Sequence, residues 1–140
     1  MQESQTKNEK SKRFQSDRHR MQKREPRKPF QRENDLYITN KTDFNAQFKE
    51  CIKILNSDVA EVYLHCIGNA INRGINLALK LNQAYDIFQY EANTSTIELT
   101  DDYHPLRDDD DFVIQKRMNS CLHIRVYRKL LDNNSKSMST

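Results

Sequence analysis

The sequence predicts an α/β fold: a two-layer βαβαββ sandwich in which a four-stranded mixed sheet packs on two helices. Three observations carry this reading. The apolar run at residues 62–67 passes through Gly68 into a stretch of helical periodicity, which marks a strand-to-helix junction. An amphipathic helical pattern precedes it, and a strictly alternating segment closes the domain near residue 128. Both glycines of the chain, Gly68 and Gly74, fall at that junction and in the helix behind it.

Taken in order, Leu36, Tyr37 and Ile38 read as a short first strand. Thr42 is placed to cap the following helix, with Asp43 favourable in its first turn. Phe44, Phe48, Cys51, Ile52 and Leu55 recur at i, i+4, i+7, i+8 and i+11, one apolar helical face. Asn56, Ser57 and Asp58 end that helix. The second strand covers residues 61–67, and Gly68 lets the backbone turn sharply where a side chain would block it. The second helix is expected over residues 69–81. Its start offers unpaired N–H groups and the positive end of the helix dipole, with Asn69, Asn72 and Arg73 in the first turns.

A third strand is expected from near Asp86, with a kink, to Leu99. Residues 100–114 are expected to form a loop, because Asp101, Asp102, Pro105 and Asp108 to Asp111 suit no core element. The last strand, residues 120–128, sets Leu122, Ile124 and Val126 on one face and Cys121, His123, Arg125 and Tyr127 on the other. The central βαβ unit is expected to be parallel. Ala70, Gly74 and Ala78 lie four apart on one helical stripe. Glycine inside a helix costs about 1 kcal/mol relative to alanine, so the stripe implies close approach of a neighbour, either the sheet and first helix or another subunit.

Composition bounds the rest. A chain of 140 residues holds one modest domain with tails. No apolar run approaches the roughly 18 residues of a membrane span, and the polar N-terminus does not read as a signal peptide. Cys51, Cys66 and Cys121 sit inside apolar patterns and read as buried thiols of a reducing compartment. Residues 1–33 carry a net charge of +6 and residues 34–140 a net of −3. The first segment, with Phe14, Met21 and Phe30 as its sizeable apolar residues, is expected to be a disordered basic tail. Residues 34–130 form the domain, and residues 131–140 a second disordered tail. The stretch Lys23, Arg24, Glu25, Pro26, Arg27, Lys28 reads as a nuclear-import signal, a phosphate-binding arm or a solubilising run.

Other constellations are weak. His65, Cys66, Cys121 and His123 match no zinc spacing, and alternation places His65 and Cys66 on opposite faces. Asp108 to Asp111 reads as a solvated charge run before it reads as a magnesium site. No Ser/His/Asp or Cys/His arrangement has supporting motifs. No catalysis, metal or cofactor is therefore expected.

The run Gly68, Asn69, Ala70, Ile71, Asn72, Arg73, Gly74, together with the βαβαββ order, resembles the Alba-domain family of small nucleic-acid-binding proteins. The resemblance is closer to the smaller Alba-like protein subunits of eukaryotic ribonuclease P and ribonuclease MRP. It is carried also by residues 34–38, by Lys41, Thr42, Asp43 and Phe44, by residues 92–96, and by His123, Ile124, Arg125 and Val126. It implies an RNA-binding, non-catalytic subunit, heterodimeric with a larger Alba-like subunit. The pair would sit on the enzyme's RNA component among other protein subunits, in the nucleus and nucleolus, supporting tRNA 5′-end and rRNA processing. Position by position, Lys41 matches the family's nucleic-acid-contacting lysine and Arg73 the basic residue of the second helix. Asn69 stands where archaeal relatives often have arginine, and His65 where they carry lysine. With Asn72, and with Lys116 and Arg117 just before the last strand, these complete the expected RNA-binding set. The alternatives are a general Alba-type DNA- and RNA-coating chromatin protein and a small nuclease using the acidic loop.

Overall fold

The computed structural model describes residues 16–129, in the order β1 (His19–Lys23), β2 (Asp35–Ile38), α1 (Phe44–Leu55), β3 (Glu61–Ile67), a 3₁₀ turn (Gly68–Ala70), α2 (Ile71–Ala84), β4 (Phe88–Pro105) and β5 (Val113–Arg128). The expectations for residues 1–15 and 130–140 lie outside the described residues. The sheet has five strands, ordered β1-β4-β5-β3-β2, where four were expected. The described residues divide into two compact units, one formed by residues 16–25 with residues 99–117, the other by residues 26–98 with residues 118–129.

The second unit holds the core. β2 and β3 are parallel, pairing Leu36 with Leu64 and Ile38 with Cys66, as expected for the βαβ unit. β3 is antiparallel to β5, pairing Val62 with Val126 and Leu64 with Ile124. Alternation then puts Val62, Leu64, Cys66, Ile124 and Val126 on the face that packs against Cys51, Leu55, Leu77, Ala78 and Leu81 of the helices. On α1 the buried set is Gln47, Cys51, Ile54 and Leu55, while Phe44, Phe48 and Ile52 are only partly buried at its rim. Lys80 covers that rim, its ammonium 4.6 Å from the Phe48 ring centre and 5.1 Å from that of Phe44.

Two helix boundaries differ from the sequence reading. The cap of α1 is Asp43, whose carboxylate accepts from the Ala46 N–H at 3.1 Å. Thr42 instead shares a hydroxyl hydrogen bond with Thr39. α2 begins with a 3₁₀ turn and continues to Ala84, three residues further than its apolar pattern. Gly68 opens that turn at φ +55, the left-handed region that favours glycine.

The first unit corrects two expectations together. Residues 19–23, read as part of a disordered tail, form β1, and residues 99–105, read mostly as loop, form the outer part of β4. The two pair antiparallel, Lys23 opposite Asp101 and His19 opposite Pro105. Arg24 makes a bidentate ion pair with Asp102 at 2.7 and 2.8 Å, and Arg18 reaches Asp110 at 3.4 Å. A basic segment and an acidic one, each unfit alone for a strand, neutralise each other. Along β4, Leu99, Asp101 and Tyr103 alternate inward. Asp101 is 1% exposed and receives the Arg117 guanidinium at 2.8 Å.

Candidate nucleic-acid interface

β2 and β3 are parallel, so α1 and α2 both start at their C-terminal ends. Side chains stitch the two starts together. The Asn40 amide donates to the Asn69 carbonyl at 3.1 Å. The Arg73 guanidinium donates to the carbonyls of Thr39, at 3.1 Å, and Thr42, and to the Gln47 side chain at 3.2 Å. Gln47 is buried, and its amide donates to the same Thr39 carbonyl at 3.1 Å. Arg73 is thus half-buried and tied to the 39–42 loop, which it holds in place; the sequence reading had it among the RNA contacts. Lys41 is the exposed cation of that loop, and Asn69 and Asn72 are exposed on the neighbouring turn.

Lys116 and Arg117 lie inside β5, not before it, and belong to the other unit. Lys116 is exposed, whereas Arg117 is committed to Asp101. Ala70, Gly74 and Ala78 are buried beneath α2. A Cβ built on Gly74 would stand 2.1 Å from the Cys66 sulfur, so the stripe serves close packing of the helix on the sheet. The outward faces of α2 carry Ile75 and Leu79, both 39% exposed. The three cysteines are free and buried, and burial pushes the Cys51 and Cys66 thiols up to about 12, which leaves them unreactive.

The opposite face of the sheet holds a network that the sequence reading missed. The His65 ring lies under Phe30, nearly parallel (9°) with ring centres 4.9 Å apart, and touches Tyr37 at 4.9 Å. His65 Nε2 is 2.7 Å from the Asp35 carboxylate, and its Nδ1 is 2.8 Å from His123 Nδ1. His123 Nε2 is 2.7 Å from the Ser95 hydroxyl. An ionised Asp35 can only accept, so His65 donates to it from Nε2; with both rings neutral, His123 then donates to His65 and Ser95 to His123. Burial would raise the Asp35 pKa, but hydrogen bonds from Arg32 and His65 outweigh it and hold the group at about 2. The parallel pairing of β2 with β3 brings Asp35 to His65, and cross-strand pairing sets His65 opposite His123. Phe30, the apolar residue of a basic stretch, was the one local signal that the segment before β2 has something to cover.

This network makes stability pH-dependent. Burial, and then the electrostatic influence of the adjacent His65 ring, hold the His123 imidazole below its ordinary 6.5. The folded state therefore takes up that proton less readily than the unfolded chain. The stability it contributes is complete above about 6.5 and is lost as pH falls through the lowered folded value. Thermal melts should show Tm falling between about pH 7 and pH 5, and less steeply in His123→Asn. Equal slopes in the two proteins would remove His123 from the account.

Two helices on one face of a mixed sheet, with both helix starts joined at one edge, define a small mixed α/β module. The sequence comparisons narrow this. Residues 31–125 match the family described as Rpp20 subunit of nuclear RNase MRP and P. The chain is 42% identical over 115 residues to the protein named ribonuclease P protein subunit p20 of Drosophila melanogaster, covering 81% of this chain and 69% of that one. It is also 42% identical over 118 residues to the human protein of the same name, covering 79% and 81%. The chain belongs to the Rpp20 family of ribonuclease P and ribonuclease MRP subunits.

Proposed function

We propose that this subunit acts as a non-catalytic RNA-binding scaffold, paired with a second, larger Alba-like subunit on the enzyme's RNA component. In that role it would support tRNA 5′-end and rRNA processing in the nucleus and nucleolus. The observation that carries the reading is the stitched edge, where Lys41, Asn69 and Asn72 stand exposed around two helix starts. The α1 start is capped by Asp43, but no side chain caps the start of α2, so its backbone donors and positive dipole end suit phosphate, and Lys41 adds a charge beside it. Pairing is supported by Ile75 and Leu79, which expose one apolar strip of α2 beside its buried stripe. The acidic loop is occupied structurally: Arg18 engages Asp110, and His19 reaches the Asp111 carbonyl at 2.7 Å.

Lys41→Glu is the clean probe, since Lys41 is exposed whereas Arg73 braces the loop. It should weaken RNA binding by the heterodimer and reduce the salt slope by about one unit, with Tm unchanged. An unchanged affinity and slope would move the binding surface elsewhere. The same protein with Asp109→Asn and Asp110→Asn should support RNA cleavage at the wild-type rate; lost cleavage with intact assembly would favour the nuclease reading.

A further inference from the structure

We propose that the cavity on the sheet face opposite the helices receives one unpaired nucleobase of the bound RNA. The cavity has a volume of about 380 Å³, within the roughly 300–1,000 Å³ of ligand pockets. The inference rests on the RNA-binding reading for its ligand but places the contact away from the helix starts. Ile67, Ile97 and Cys121 supply apolar walls, and Phe30 and Tyr37 supply rings. This is a surface for a flat apolar face.

The polar groups there suit the edge of a base. With both rings neutral Ser95 gives its proton to His123, and its oxygen, which the Cys121 thiol also meets, keeps a lone pair to accept from an exocyclic amino group or a ring N–H. The charges suit the flanking backbone. Among the described residues, Asp35 is engaged by Arg32 and His65, while Glu61 and Glu91 share Arg125, at 2.8 and 3.5 Å. Arg27 lines the cavity with no ion pair among the described residues, and the Lys28 ammonium stands 5.7 Å from the Tyr37 ring centre. Uncompensated cations beside stacking rings fit a polyanion that carries aromatic bases. A base inside a duplex is stacked on both faces and paired along its edge, so only an unpaired one can enter.

The test uses the full chain with its partner subunit and two RNAs: a stem carrying a single-stranded loop, and the same stem fully paired. The loop carries 4-thiouridine for photo-crosslinking. Two variants probe the cavity: Ile97→Trp fills it, and Phe30→Ala removes its ring. Both should lower affinity for the looped RNA about tenfold, the scale of one lost base stack, and leave the paired stem unaffected. The wild-type crosslink should fall within residues 27–37 or 95–97 and vanish in Ile97→Trp. Unchanged looped-RNA affinity in both variants, at wild-type Tm, would overturn the proposal. If either variant lowers Tm, the wild-type crosslink decides: a crosslink outside residues 27–37 and 95–97 overturns the proposal. Loss of subunit pairing in Ile97→Trp with RNA affinity intact would assign the cavity to a protein segment and overturn the proposal equally. The two readings separate through Lys41→Glu: if it weakens both RNAs while the cavity variants change neither, only the base site fails. If Lys41→Glu also leaves both affinities unchanged, RNA is held at neither the cavity nor the helix starts, and both placements fail.

Discussion

Replacing Gly74 with leucine should destabilise the domain by about 3 kcal/mol or more, at the upper end of the usual cost of overpacking a core. A Cβ alone would sit 2.1 Å from the Cys66 sulfur and 3.9 Å from the Ile124 Cδ1, and leucine adds three further carbons. Cys66 has little room to yield, since it is fully buried in β3 between β2 and β5. Even Gly74→Ala should lose stability, although alanine gains about 1 kcal/mol in helix propensity over glycine. Urea midpoints and Tm would measure both. Combining Gly74→Ala with Cys66→Ala should recover most of the loss, a coupling that two independent sites would not show. A raised Tm in Gly74→Ala alone would mean that α2 can lift from the sheet without cost.

Arg117→Ala should loosen the first unit by about 3 kcal/mol, because removing one partner leaves the carboxylate of Asp101 buried and unpaired. Amide exchange should report it, with protection falling across residues 19–23, 99–105 and 113–117. The unit made of residues 26–98 and 118–129 should keep its protection, since its core includes none of the affected side chains. Arg117 was expected among the RNA contacts. Unaltered exchange together with weaker RNA binding would restore that assignment.

The elements that the sequence displayed were those whose signal is local. β2, α1, β3 and α2 are each written in spacing: the apolar repeat from Phe44 to Leu55, the run into Gly68, and the periodicity after it. The strand β5 was half legible. Its alternation from Cys121 to Tyr127 was visible, but the same strand begins earlier at Val113, among alternating residues whose inward members include Gln115 and Arg117. The strand β4 was legible as far as Leu99, and Asp101 hid its continuation in the same way, since a buried carboxylate breaks the apolar pattern until its arginine is known. The helix cap moved by one residue, from Thr42 to Asp43, because either side chain suits the role and the loop geometry chose between them.

Of the candidate site, the sequence by itself determined which residues surround the two helix starts, because Lys41, Asn69 and Asn72 follow directly from strand-then-helix order. It also determined the family, through the run from Gly68 to Gly74. Tertiary structure alone decided what Arg73 does, since its partners Thr39, Thr42 and Gln47 are 34, 31 and 26 residues away. It decided likewise that the stripe of Ala70, Gly74 and Ala78 faces Cys66, and that a basic segment becomes a strand beside an acidic one about 80 residues later. The proton chain from Ser95 through His123 and His65 to Asp35 joins three separations of 28, 58 and 30 residues. The physical reason is common to all of these. Periodicity records which way a side chain points along its own element, whereas a charge or a polar ring is settled by a partner that only the pairing of strands brings within about 3 Å.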